Sequence, residues 1–487
     1  MLQYYSKGTT YKIISGIIAV VLTIYAFVSW KITGNTASDA FLHNQFILVI
    51  GVYIWSFVAW GATGHRYSCI YIVFLIYTFT SNAGQMLIKL IDPNGVYSFV
   101  NMFEGFSNAS LCKVCIFQAM FVACMNFGAI VGAGSYLEKG QIEVLRINDN
   151  NTQKSILFKF VFAGLFILVL YDAISFTFLR RSVTYAEGYG SASNLGTYSL
   201  YAFSVLMFYE MFKADGKRLR NLLIVVGAIS ALYFLNGTRS KALPLLGCML
   251  VIMRIKYPKL FRFRNLLIAS PVVLLLISLG SAIAFARTGT LGSLSLISIV
   301  SEKGILYMVK QGIYEMGMSA RTIATTISEF ERGSMAHEQT ILYSLILAII
   351  PRPLLEMIGI SAPAIGALST FATGGSASGA GFSCVAEFFF DFGLWASIPS
   401  FIYGFVITRL EGKASDGLKY GRFIFAAIVY TILCKQIFFA RGQFDYVYNY
   451  LRNTFYIILI WVVMNKGKIT IRKNEWYEQS QNSGSNI

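Results

Sequence analysis

The chain has 487 residues, 56% of them hydrophobic and only 13% charged, whereas a soluble domain carries roughly 25% charged residues. That composition excludes a water-soluble fold, and the net charge of +17 does not indicate a nucleic-acid partner, because the basic residues lie in short runs between apolar stretches. The seven cysteines are scattered, several of them inside apolar segments (Cys69, Cys124, Cys248, Cys434), so no disulfide framework is expected; the lone Cys112-x-x-Cys115 reads as two small helix residues.

A membrane-spanning helix needs roughly 20 largely apolar residues. The first such segment, 11–30, follows Lys7 and Lys12, which places the N-terminus on the cytoplasmic side. Its apolar core is too long for a secretory signal and lacks a small-residue cleavage site, so it is expected to stay as an anchor. Further crossings are predicted at 46–60, 69–90, 111–133, 156–178, 195–211, 222–235, 242–253, 266–285, 385–407, 423–439 and 454–464, about twelve in all. The expected fold is therefore all-α, a polytopic transmembrane helical bundle with both ends inside. Lys213, Lys217, Arg218 and Arg220, then Arg254, Lys256, Lys259, Arg262 and Arg264, then Lys466, Lys468, Arg472 and Lys473 all fall on the inner side of that arrangement. The chain divides into nine crossings over 1–286, a long outer loop over 287–384, three crossings over 385–466 and a polar, disordered tail over 467–487.

Within the outer loop, Ile305, Met308, Val309, Ile313 and Met316 recur at helical spacing, which fits either a helix lying along the membrane surface or a packing helix. Residues 341–350 are apolar but too short to span, and Pro351-Arg352-Pro353 stops them, the pattern of a re-entrant element. The stretch 370–383 is rich in Gly, Ala and Ser, a composition suited to a linker or a mobile passage.

Eight arginines violate the inside bias: Arg180, Arg181, Arg239, Arg287, Arg321, Arg332, Arg352 and Arg441. A guanidinium is always charged and offers a planar fork that matches phosphate, so an outward set points to an anionic ligand, although any one of them could instead hold a lipid headgroup or a helix end. Arg239 stands in a tight turn, 236–241, close to the membrane surface, where a lipid pyrophosphate would lie. Carboxylates on the same side include Glu338, Glu356, Glu387 and Asp391, with His337 beside Glu338; one of them could act as a general base. Asp172, alone in an apolar run, is expected to pair with a cation.

These residues resemble the O-antigen polymerases of the Wzy type, bacterial enzymes that lengthen surface polysaccharide on a polyprenyl carrier. Gly237-Thr238-Arg239-Ser240 resembles that family's Gly-Ser-Arg-Gly turn, and Ile350-Pro351-Arg352 its Ile-Pro-Arg element. Gly381-Phe382-Ser383, followed by Glu387 to Gly393, resembles its Glu-aromatic-Phe-Gly stretch. The resemblance implies a glycosyltransferase of the bacterial inner membrane that joins undecaprenyl-pyrophosphate-linked repeat units at the periplasmic face. It implies no cofactor or metal, membrane lipid as surroundings, a chain-length regulator as a companion, and no nucleic acid. On this reading Arg239, Arg287, Arg321, Arg352 and Arg441 serve the pyrophosphate, and His337, Glu338 or Glu387 activates the acceptor. An O-antigen ligase, or a transporter or flippase of lipid-linked oligosaccharide, fits the same layout.

Overall fold

The computed structural model describes residues 2–33, 36–97, 101–134, 156–178, 194–235, 239–261, 296–347, 352–359 and 382–444, with 264, 265, 268 and 350. All regular elements among the described residues are helices. Eight run in succession: α1 (Leu2–Ile32), α2 (Asp39–Ala62), α3 (Ile70–Ile91), α4 (Asn108–Gly132), α5 (Ile156–Phe178), α6 (Asn194–Lys213), α7 (Gly216–Leu235) and α8 (Arg239–Lys256). Then come α9 (Leu296–Met316), α10 (Ser319–Glu331), α11 (Thr340–Leu347), α12 (Arg352–Met357), α13 (Cys384–Phe392), α14 (Ser397–Lys419) and α15 (Phe423–Gln436), the last closed by a 3-10 turn, Ile437–Arg441. Six described segments are long and apolar enough to cross a membrane: Gly8–Ile32, Asp39–Ala62, Ile70–Ile91, Asn108–Gly132, Cys384–Lys419 and Phe423–Arg441. The molecule is a polytopic helical membrane protein. The predicted crossings at 266–285 and 454–464, the tail and nearly all of 370–383 lie outside the described residues.

Local chemistry sets several helix starts. Ser38, Ser107 and Ser383 are extended N-cap residues whose hydroxyls accept from the backbone N–H of Phe41, Ser110 and Val385, satisfying donors that a helix cannot pair internally. At the other end of α10, Gly333 takes φ +70° and closes the last turn.

The centre is α4, apolar on every face and buried almost throughout, which is the pattern of an interior helix. It packs on α1, α2 and, most closely, α14. Glycine permits that last approach: a β-carbon on Gly128 would stand 1.9 Å from the Phe401 carbonyl oxygen, and one on Gly404 would stand 2.0 Å from that of Met125. Thr408 Oγ1 then donates to the Ala129 carbonyl across the interface at 3.0 Å. In lipid, where the hydrophobic effect does not drive helices together, such small-residue packing and cross-helix hydrogen bonding supply the association. A second group, α5 to α8, joins this core through α15, and Asp172 of α5 meets Lys241 Nζ at 2.8 Å and Tyr233 Oη at 2.8 Å, the cation partner expected for it.

The two ends of the bundle are tied differently. At the end holding the α2–α3 turn, Arg254 of α8 donates to Glu411 Oε1 of α14 at 2.9 Å and to the Ser68 carbonyl, with Tyr430 Oη at 3.3 Å. Glu411 Oε2 accepts from the Ile70 N–H at 2.9 Å, so α3, α8, α14 and α15 meet on one buried pair. At the opposite end, the α3–α4 turn is joined to the later helices by Lys310–Asp92 at 2.9 Å, by Lys113–Glu331, and by Arg321 on the Asn101 carbonyl at 2.7 Å.

The 296–316 helix packs against α3. A β-carbon on Gly84 of α3 would stand 2.7 Å from the Ile313 carbonyl oxygen, and Gln85 donates to the Tyr314 carbonyl at 3.2 Å. Gln311, Tyr314 and Glu315 are buried on that helix.

Candidate functional site

Around α13 the polar side chains of five elements converge. The helix begins with Ser383, which both caps it and donates to Asn82 Oδ1 of α3 at 2.5 Å; Asn82 in turn donates to the Ala440 carbonyl at 3.3 Å. One turn further along, Glu387 is 1% exposed: Oε1 accepts from Thr340 Oγ1 at 3.1 Å and Oε2 from the Phe444 N–H at 2.8 Å. Asp391, a turn beyond, accepts from the N–H groups of Thr340 and Ile341 at 3.0 and 2.7 Å and from Thr340 Oγ1 at 2.6 Å. It thereby satisfies the first free donors of α11. The intervening aromatics wedge α13 into the core, Phe388 edge-on to Phe121 and Phe389 edge-on to Phe117.

Arg441 ends the 3-10 turn that runs beside this cluster, three residues before Phe444. It is 8% exposed, and its guanidinium stands 3.6 Å from Glu315 Oε1 of α9. The fold thus brings Glu387 and Arg441 into one neighbourhood although they are distant in sequence.

His337 sits on the outer side of the same helix. Its Nδ1 is 2.9 Å from the Phe390 carbonyl oxygen, and its ring stacks on Phe330 with centroids 4.3 Å apart. A carbonyl only accepts, so Nδ1 donates this hydrogen bond and Nε2 is the ring nitrogen left to face other groups. Gly393 takes φ +53°, and a β-carbon there would meet the His337 ring at 3.0 Å, which is why glycine must follow the Glu-to-Phe stretch. Glu338 is half-buried beside it.

The other predicted residues fall elsewhere. Arg321 donates to the carbonyls of Asn101 and Glu104 and lies over the Phe106 ring at 5.6 Å, clamping the α3–α4 turn. Arg332 pairs with Glu329 at 3.0 Å. Arg239 opens α8 and Arg352 opens α12, but their side chains, and all of Arg287, Arg180 and Arg181, lie outside the described residues. Among the described residues no group of three or more His, Cys, Asp or Glu is placed to hold a metal ion, and the cysteines are free and buried.

Sequence reasoning missed Asn82, Ser383, Thr340 and Glu315 as members of the cluster. The signal available was the polar run Ser81-Asn82-Ala83-Gly84-Gln85 inside an otherwise apolar crossing, since polar groups at that depth need partners.

The family model for the O-antigen polysaccharide polymerase Wzy matches residues 11–473. The chain belongs to this family. No curated protein and no solved structure matches it. Membership in the Wzy family makes the chain a bacterial inner-membrane protein and a glycosyltransferase-type polymerase acting on lipid-linked oligosaccharide.

Proposed function

We propose that this Wzy-family chain lengthens glycan at the periplasmic face by transferring a chain from undecaprenyl pyrophosphate to a second lipid-linked repeat unit. An acceptor hydroxyl attacks the anomeric carbon, the bond from that carbon to the pyrophosphate oxygen breaks, and lipid pyrophosphate leaves with the bonding pair. The acceptor proton passes to a base. The observation that carries this reading is the convergence on α13 of a base-competent histidine, a buried carboxylate and an arginine.

Arg441 supplies a fixed positive charge for the leaving pyrophosphate, and Arg239, Arg287 and Arg352 are assigned to the same anion by the family resemblance alone. Preorganised donors of this kind act where charge develops and need no reorganisation at the moment of reaction. His337 Nε2 takes the acceptor proton, with Glu387 and Asp391 holding α11 and α13 in register around it. Glu338 is adjacent to that base and Arg321 holds the neighbouring turn. A chain-length regulator in the same membrane belongs to this reading through the family alone.

The test is polymer length in cells that make His337→Gln at wild-type level. Losing a general base costs roughly 10²–10⁴ in rate, so long chains should vanish while single repeat units persist. Wild-type chain lengths would remove His337 from the chemistry.

A further inference from the structure

An anion that comes to Arg441 meets an obstacle, because the arginine already faces a carboxylate. Arg441 is 8% exposed and Glu315 5%, so the two form a buried pair with no net charge. The anion must displace Glu315, and a displaced carboxylate left in the interior without donors is costly. The pair is also open. Its nitrogen and oxygen stand 3.6 Å apart, beyond a charge-assisted hydrogen bond, whereas Arg254 and Glu411 at the other end of the bundle close to 2.9 Å.

One turn away stands a group that can receive Glu315. Past the kink at Gly304, which takes φ +77°, α9 has no further break, so Gln311 and Glu315, at i and i+4, share one face. Helical side chains lean toward the N-terminus of their helix, which tips the Glu315 carboxylate over the turn that carries Gln311. Gln311 is 1% exposed, and among the described residues neither its Nε2 nor its Oε1 meets a hydrogen-bond partner. A buried amide ordinarily finds partners, so an orphaned one calls for a reason. The adjoining stripe of the helix is fixed: Lys310 pairs with Asp92 at 2.9 Å, and Gln85 of α3 donates to the Tyr314 carbonyl at 3.2 Å. Just past α9, a β-carbon on Gly317 would stand 2.5 Å from the Gln85 nitrogen. The helix therefore stays in place while the Glu315 side chain turns.

We propose that Gln311 is a positioning residue that receives the Glu315 carboxylate when Arg441 turns to the pyrophosphate. The proposal rests on the polymerase reading above, in which Arg441 serves that anion. At rest Glu315 neutralises Arg441. With the anion in place, Arg441 exchanges the carboxylate for phosphate oxygens, and the Gln311 Nε2–H groups donate to the carboxylate it gives up. An amide suits this task, since it donates without a charge that would hold Glu315 for good. After lipid pyrophosphate departs, Glu315 returns to Arg441.

The test uses the full chain in nanodiscs of zwitterionic lipid, with inorganic pyrophosphate as the probe and calorimetry as the readout. Glu315→Gln removes the competing charge and should bind the probe about tenfold tighter than wild type. Gln311→Met keeps the volume but leaves Glu315 without a receiver, and should bind about fivefold weaker. In the double variant that loss should vanish, because with Glu315→Gln in place no carboxylate needs receiving. Wild-type affinity in Gln311→Met, or the same loss with and without Glu315→Gln, overturns the proposal and leaves the role of Arg441 standing. If Gln311→Met does not accumulate, Glu315→Gln decides, and an affinity equal to or weaker than wild type overturns the proposal. No binding by wild type, or binding that Arg441→Ala leaves unaltered, overturns the anion site itself and this role of Gln311 with it.

Discussion

Arg441 and Arg321 are the same residue type on the same side of the bundle, yet the fold uses them differently. Arg321 spends its fork on two backbone carbonyls, which fixes a turn; Arg441 faces a carboxylate at 3.6 Å beside Glu387. Charge alone marks both as ligand candidates, and only the partners separate them. On the proposed reading Arg441 holds a pyrophosphate, which a planar fork matches better than a point charge, so Arg441→Lys should support polymer poorly even when the protein accumulates normally, with at least about a tenfold loss of elongation rate. Elongation assays on membranes with matched protein levels check this, and wild-type rates with lysine would mean that a point charge suffices. Arg441 stands out in the sequence as a charge beside an apolar run and Glu387 through the family-like Glu387–Gly393 stretch, and the fold places both near α13. The polar run around Asn82 signals a buried partner but not its identity, Ser383, 301 positions on, and nothing local to Thr340 marks the two carboxylates it meets 47 and 51 positions later.

Among the elements, the helices were largely legible, since length and apolarity locate a crossing: 156–178 is helix over its whole predicted span, and 69–90 becomes Ile70–Ile91. Two features were hidden. The break at Gly393, between α13 and α14, depends on a positive φ against His337, and the role of α9 depends on Gly84 of α3 and on Gly317, just past α9, which permit contact. The α2–α3 turn carries a measurable consequence. His65 is 2% exposed, with its ring 4.7 Å from that of Trp60. Burial first, then the Lys12 ammonium, push its pKa down to about 4, against a smaller opposing pull from the Ile130 backbone. Below about pH 6.5 the unfolded chain takes up a proton at this position that the folded chain refuses. Stability from this group is therefore complete above about pH 6.5 and falls as the pH drops toward 4. Thermal unfolding in detergent from pH 8 to pH 4 should show a shallower acid loss for His65→Phe than for wild type; parallel curves would mean that His65 is protonated in the fold.

At the scale of the whole molecule, one end is closed by the Arg254–Glu411 pair, and the other holds the α13 cluster. The closed end joins four helices on a pair whose members are 9% and 0% exposed, so removing one partner should cost about 3–5 kcal/mol by leaving the other charge buried. Glu411→Ala should lower the unfolding temperature sharply, while the double change Arg254→Met with Glu411→Met should recover most of it. A double variant no better than the single one would show that the pair is needed for more than its own neutralisation.

The central claim is that this chain joins repeat units and uses the α13 cluster to do so. The most direct measurement is the surface glycan ladder of cells lacking the chain, then resupplied with the wild type or with Arg441→Ala at equal level. The account predicts a single repeat unit on the core without the chain, a full ladder with the wild type, and a single unit again with Arg441→Ala. A ladder that survives deletion, or a loss of every unit including the first, would contradict it.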